Sequence, residues 1–230
     1  MTVTFLGAAV VVPNTAVRVK GPCVRALLLK AACGLLFVLA GAAATAELPP
    51  ARLPLGLAVV LGLVFGLVGD IWLDLAEISP ASHDTLFFAG MAAFGVGHLF
   101  FIGGMLWAWR PAGSAVLGAA AAAAAVPALV LALSRRLGLD FGRFRPAAAG
   151  YGYLLALTAA TGLFTAFAGD GVNDQALAMG VGGVLFLISD LALSGAAFGA
   201  ARGRASAQIA CYVFYYAAQF TMALSLLAAR

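Results

Sequence analysis

The chain has 230 residues, 64% of them hydrophobic and 10% charged, with a mean hydropathy of +1.06. Soluble domains average about 45–50% apolar and about 25% charged residues, so this composition excludes a soluble globular fold and points to a polytopic membrane protein. The formal net charge of +4 lies in short loops between apolar runs, where it sets topology and gives no reason to expect a nucleic-acid partner.

Length fits one transmembrane domain over residues 1–230, an all-α helical bundle with short loops. Charge and Pro/Gly punctuation divide the chain into eight apolar runs, at about 2–17, 24–46, 54–76, 83–109, 113–134, 147–168, 174–200 and 206–228. The first is short and contains Pro13 and Asn14, so a seven-span arrangement is the alternative. Its positive charges follow the apolar stretch, unlike a secretory signal, and it is read as a span with its N-terminus outside. The second run carries Lys30; the third carries Asp70 and Asp74 in GLVGDIWLDL, with Gly62 and Gly66 at GxxxG spacing. The fourth carries His98 and the fifth an alanine tract, Ala119–Ala125, whose small side chains let a neighbouring helix approach closely. The seventh carries Ser189 and Asp190; the eighth carries Tyr215, Tyr216 and Gln219. No alternating pattern predicts strands, and no internal repeat indicates an inverted-repeat transporter. Cys23, Cys33 and Cys211 form no even-numbered framework and are read as packing residues.

Orientation follows from lysine and arginine. With eight spans, nine basic residues (Arg18, Lys20, Arg25, Arg135, Arg136, Arg143, Arg145, Arg202 and Arg204) share one side, against Arg52, Arg110 and Arg230 on the other. Both termini are therefore expected outside. The protein is expected to be an integral, multi-pass membrane protein, of the cell inner membrane in a bacterium.

A carboxylate within a bilayer costs about 2.5–3.5 kcal/mol even on the lenient insertion scale, so interior ionisable residues need a partner or a use. A rise of about 1.5 Å per residue places Asp70 roughly 9 Å and Asp190 roughly 15 Å from the basic-side helix end, with His98 and Gln219 near mid-depth. Lys30, Asp70, His98, Asp190 and Gln219 are thus expected to share a cavity biased to the basic side. Stripes at Gly90, Phe94 and His98, and at Tyr212, Tyr216, Gln219 and Ala223, would wall it with aromatic rings suited to a lipid-like molecule. Each residue also has a purely structural reading: Asp70 as an ion pair with Lys30 that fixes helix register, His98 as a core histidine bonded to an aspartate, Asp190 as structural, Gln219 and the tyrosines as interhelical glue. Asp74, nearer the helix end, is read as solvated, and Glu77, His83 and Asp84 as a wet loop.

Two carboxylates in contrasting surroundings are suited to acid-catalysed cleavage through an oxocarbenium ion. One donates a proton; the other stays ionised, steadies the cation and orients water. Lys30 or His98 would supply the counter-charge, and His98 could also shuttle the proton. With two histidines, one of them in a loop, a three-histidine zinc hydrolase is excluded. No GxSxG is present, and Ser189 does not face its sequence neighbour Asp190 on a helix. Pro127-Ala128-Leu129 spells a tripeptide of intramembrane aspartyl proteases, but it follows Asp70 and precedes Asp190, the reverse of their order. No metal or other cofactor is expected.

From about Lys30 to Gln219 the chain resembles the YhhN-like, lysoplasmalogenase family of integral membrane proteins. The matching features are Lys30, Gly69-Asp70-x-x-Leu73, Phe94-x-x-Gly97-His98, Gly183-x-x-Phe186-x-x-Ser189-Asp190 and Tyr215-Tyr216-x-x-Gln219, in this order on successive helices. Departures bear on substrate preference: Lys30-Ala31 where the family often has Lys-Pro, Phe101 where it often has tyrosine, and Asp74 at a usually apolar position. The resemblance implies hydrolysis of the vinyl ether of lysoplasmalogens to a fatty aldehyde and a glycerophospho-base. It implies that Asp70 and Asp190 divide the acid and cation-stabilising roles and that His98 relays protons or orients water. Lys30 would hold a carboxylate or the substrate phosphate; Tyr216 and Gln219, with Ser189 and Tyr215, would bind the substrate. The implied partners are a lysophospholipid and membrane lipids. A lipid-binding or transport protein using the same cavity without catalysis is the other reading.

Overall fold

The computed structural model describes residues 23–199 and 204–228, and among them the chain forms seven α-helices and no strand. These are α1 (Val24–Ala46), α2 (Leu53–Ile78), α3 (His83–Trp109), α4 (Gly113–Leu133), α5 (Arg145–Ala166), α6 (Asp174–Phe198) and α7 (Ala205–Ser225). They match the second to eighth predicted runs to within about three residues at each end. The first predicted run, 2–17, lies outside the described residues, and so does the expectation about its N-terminus.

Proline sets many of the boundaries. Pro50 opens the 3-10 turn before α2, Pro54 lies in the first turn of α2, Pro80 starts the turn before α3, and Pro146 lies in the first turn of α5. A proline there loses no helical hydrogen bond, because the first-turn N–H groups have no intrahelical partner. Arg110 ends α3 in the left-handed region at φ 43°, immediately before Pro111, which cannot continue the helix. Asn173 caps α6 by accepting from the N–H of Ala176 at 3.0 Å.

Six helices, α1 to α6, are long and apolar enough to cross a membrane. α7 is 21 residues long, but its glutamines and three tyrosines make it less apolar. The chain is therefore an all-α, polytopic helical bundle. Neighbour packing runs α1–α2–α3–α5–α6–α7 and back to α1, a closed ring, with α2 also touching α7 across the interior. α4 stands outside this ring and packs along α5. Within α4 only Ala119 and Ala123 are buried, and Gly118 receives the ring of Phe164.

Without a hydrophobic drive between helices in lipid, close approach of small residues supplies the packing. Close seams of this kind join α5 to α6 at Gly162 and Gly180, and α2 to α3. A Cβ on Gly97 would stand 2.8 Å from the carbonyl oxygen of Gly62, and one on Gly62 would enter the ring of Phe101. The Gly62–Gly97 seam fixes α2 against α3, and with it the rotation of the helix that carries Asp70 and Asp74.

Candidate functional site

α2 turns one buried face toward α1 and α7, and that face holds two carboxylates one turn apart. Lys30 on α1 reaches both: its Nζ lies 2.8 Å from Asp70 Oδ1 and 3.2 Å from Asp74 Oδ1. All three side chains are buried, Asp70 and Asp74 with 2% exposure each. The solvated reading of Asp74 is thus overturned. The i, i+4 spacing that aligns it with Asp70 also carries it under the same ammonium group.

The second oxygen of Asp70 is also engaged. Tyr215 on α7 donates its hydroxyl hydrogen to Asp70 Oδ2 at 2.7 Å, and Gln219 Nε2 donates to the Tyr215 oxygen at 2.9 Å. Gln219 is fully buried and fits because position 66 has no side chain: a Cβ there would stand 2.6 Å from Gln219 Nε2. The GxxxG spacing on α2 thus serves packing at Gly62 and the polar chain at Gly66. Lys30 Nζ also lies 5.8 Å and 6.0 Å from the ring centres of Tyr212 and Tyr215, within cation–π range.

Lys30, Asp70, Tyr212 and Tyr215 line a cavity of about 970 Å³, with Asp74 and Gln219 behind them. Lys30, Asp70, Ser189, Asp190 and Tyr215 form its inner part. Glu77, His83, Asp84, Asp140 and Arg143 form its mouth, at the bundle end that joins α2 to α3 and α4 to α5. The wet-loop residues Glu77, His83 and Asp84 are therefore its rim. There Arg143 pairs with Asp84, and the N–H of Asp140 donates to the Phe198 carbonyl at 2.9 Å, tying the α4–α5 loop to the end of α6. The mouth lies on the side with the arginine-rich loops.

Asp190 enters the cavity from α6 and is half-buried, with the Tyr151 hydroxyl of α5 beside it. Its neighbour Ser189 lines the same space but donates its hydroxyl hydrogen to the Cys211 carbonyl at 3.0 Å, which ties α6 to α7. Tyr216 is buried outside the cavity lining and turns toward Cys33.

His98 is not brought to either carboxylate. It is 1% exposed and lies outside the cavity lining, with Phe186 packed edge-on at 4.7 Å between ring centres. Phe186 in turn touches Phe94 and Tyr215 at 5.7 Å and 5.4 Å, so an aromatic layer separates the imidazole from Asp70. Its partner is Thr158, at 2.8 Å from Nδ1, and not an aspartate. The Thr158 hydroxyl also lies 3.0 Å from the Leu154 carbonyl, so the imidazole and α5 are joined through one side chain.

Sequence reasoning thus placed Lys30, Asp70, Asp190, Tyr215, Ser189 and Gln219 around one centre or directly beside it. It missed Tyr151 and the partnership of Asp74. The one available signal for Asp74 was its spacing from Asp70. Among the described residues, no three His, Cys, Asp or Glu side chains are grouped as a metal ion would require.

No curated protein and no solved structure matches the chain. The model of the YhhN family matches residues 25–226, from the start of α1 to the end of α7. That match covers every helix of the ring and every residue of the buried polar cluster, and the chain belongs to the YhhN family.

Proposed function

We propose that the protein is a membrane-embedded hydrolase that cleaves the sn-1 vinyl ether of lysoplasmalogens, releasing a fatty aldehyde and a glycerophospho-base. Membership of the YhhN family, which includes lysoplasmalogenases, supports the substrate class. The observation that carries the reading is that Asp70 and Asp190, on different helices, line one cavity in contrasting settings. Asp70 accepts hydrogen bonds on both oxygens, from Lys30 and Tyr215, and so is built as an ionised acceptor that steadies positive charge. Asp190 has the Tyr151 hydroxyl beside it but, among the described residues, no ion pair, and in this reading it exchanges a proton with the substrate. A vinyl ether protonated on carbon becomes an oxocarbenium ion, which takes up water and collapses through a hemiacetal.

In this reading Lys30 and Tyr215 hold Asp70, and Gln219 holds Tyr215. Ser189, by binding the α7 backbone, fixes the wall beside Asp190. His98 and Tyr216 act from behind that wall as positioning residues. The positive-inside rule puts the cavity mouth on the cytoplasmic side, from which the lysophospholipid head group would enter.

The test is aldehyde release from lysoplasmalogen by the purified protein, coupled to an aldehyde dehydrogenase. Wild type should turn over, and Asp70→Asn and Asp190→Asn should each abolish release while still folding in detergent. Near-normal release from either variant would refute the two-carboxylate mechanism. Saturable lysolipid binding or flux in liposomes, without aldehyde, would assign the cavity to a lipid-binding or transport protein.

A further inference from the structure

Asp190 lines two spaces at once. Besides the polar cavity it borders a narrow groove walled mainly by α4, α5 and α6, where Val126, Pro127 and Val130 face Tyr151, Gly152 and Leu187, with Phe87 and Met91 of α3 also in the lining. Asp190, Tyr151 and Ser194 are its few polar groups. The enclosed part is small, about 70 Å³. α4 packs along α5 without extensive contact to α6, so the groove opens between α4 and α6 toward lipid-exposed surface, where its lining residue Leu191 is exposed. The polar cavity and the apolar groove share a wall of Phe87, Phe141, Leu193 and Phe198, and Asp190 is the carboxyl group on it.

That junction matches the chemistry of one class of molecule. In a 1-alkenyl lysophospholipid a polar glycerophospho part and one hydrocarbon chain meet at the vinyl ether itself. Resting on the hydrolase reading above, we infer that the α4–α5–α6 groove holds the start of the alkenyl chain. The chain then runs out between α4 and α6 into the bilayer, which brings the vinyl ether to Asp190 as proton donor. The Asp190 proton goes to the second alkenyl carbon, leaving the first as an oxocarbenium ion. Water adds to that first carbon and returns a proton to Asp190. The hemiacetal then breaks its bond to the glycerol oxygen, which takes the hydroxyl proton, and the aldehyde is left in the groove. Water is the only co-reactant, and Asp190 ends as it began.

Pro127 contributes to the shape of the groove. It has no N–H for the carbonyl one turn earlier, and Gly152 opposite it has no side chain, so a Cβ there would stand 3.8 Å from the Pro127 ring. The two helices therefore leave a slot open beside Tyr151.

The test blocks the α4 wall, none of whose residues lines the polar cavity. Val130→Trp and, separately, Val126→Phe fill the groove; Leu129→Trp adds the same bulk to a neighbouring side chain that is 60% exposed. Aldehyde release is compared for a hexadecenyl and a propenyl lysophospholipid. The groove-filling variants should lose at least about tenfold in kcat/KM for the long chain relative to the short one, as hydrophobic pockets discriminate. Leu129→Trp should keep the wild-type ratio. An unchanged ratio in whichever groove-filling variant folds, judged by thermal unfolding in detergent, overturns the inference and leaves the hydrolase reading standing. Binding of the non-cleavable 1-O-hexadecyl lysophospholipid gives a readout independent of turnover. Loss of binding in Val130→Trp supports the groove even if wild type releases no aldehyde, which would refute only the hydrolase reading. Retained binding overturns the groove.

Discussion

The Tyr215 hydroxyl lies 2.7 Å from Asp70 Oδ2, joining two helices that touch across the interior of the ring. The tyrosine oxygen accepts from Gln219 while its hydrogen goes to the carboxylate, so its direction is set from both sides. Tyr215→Phe removes this donor and leaves the ring in place. Activity should fall about 10–150-fold, the worth of a hydrogen bond to a charged group at about 1.5–3 kcal/mol. Steady-state aldehyde release checks this. A loss confined to KM would mean that the hydroxyl binds substrate and does not support the carboxylate.

Lys30 is the single ammonium shared by two buried carboxylates. Lys30→Met leaves both without it, and removing one partner of a buried pair costs about 3–5 kcal/mol. The thermal midpoint in detergent should drop sharply. Adding Asp74→Asn should recover part of the loss, because only one carboxylate then remains uncompensated. A double variant no more stable than Lys30→Met would show that Asp74 carries no share of the pairing energy.

Gly66 gives Gln219 its place. Gly66→Ala puts a methyl group 2.6 Å from Gln219 Nε2 and displaces the amide from Tyr215. Overpacking of this kind costs about 1–3 kcal/mol. Gly66→Ala combined with Gln219→Ala should regain the stability and not the activity. Unfolding midpoints and aldehyde release measured on the same preparations separate the two effects.

His98 stands behind Phe186 with its Nδ1 hydrogen-bonded to the Thr158 hydroxyl. His98→Gln should lower stability by about 1–3 kcal/mol, the cost of disturbing a buried polar group. It should leave the shape of the pH–rate profile unchanged. A profile that loses one limb in this variant would show that the imidazole does take part in proton transfer.

Much of this organisation is written in local features. Pro50, Pro54, Pro80, Pro111 and Pro146 lie at the boundaries because proline is tolerated only there without loss of a backbone bond. Lys30 and Asp70 were found as a pair because buried charges in lipid must compensate each other. Helix rotation was harder to read. Depth arithmetic places His98 level with the site, but the packing of Gly97 against Gly62 decides which way α3 turns, and it turns His98 toward α5. On α7 the expected stripe joined Tyr212 to Tyr216 by four residues, whereas Tyr212 and Tyr215 line the cavity and Tyr216 faces Cys33. One residue is about 100° of rotation, a difference fixed by neighbours and not by spacing.

The ring of six helices with α4 held outside it has a consequence for traffic. Among the described residues, the polar cavity reaches water through the rim at Asp84 and Arg143. The gap beside α4 offers a second route, sideways into lipid. A reaction that cuts an amphiphile in two yields halves that belong to different phases, and the two routes would send each half to its own. On the proposed hydrolase reading the glycerophospho-base would leave by the wet door and the aldehyde by the oily one, so neither product need cross the other's path before the next substrate enters.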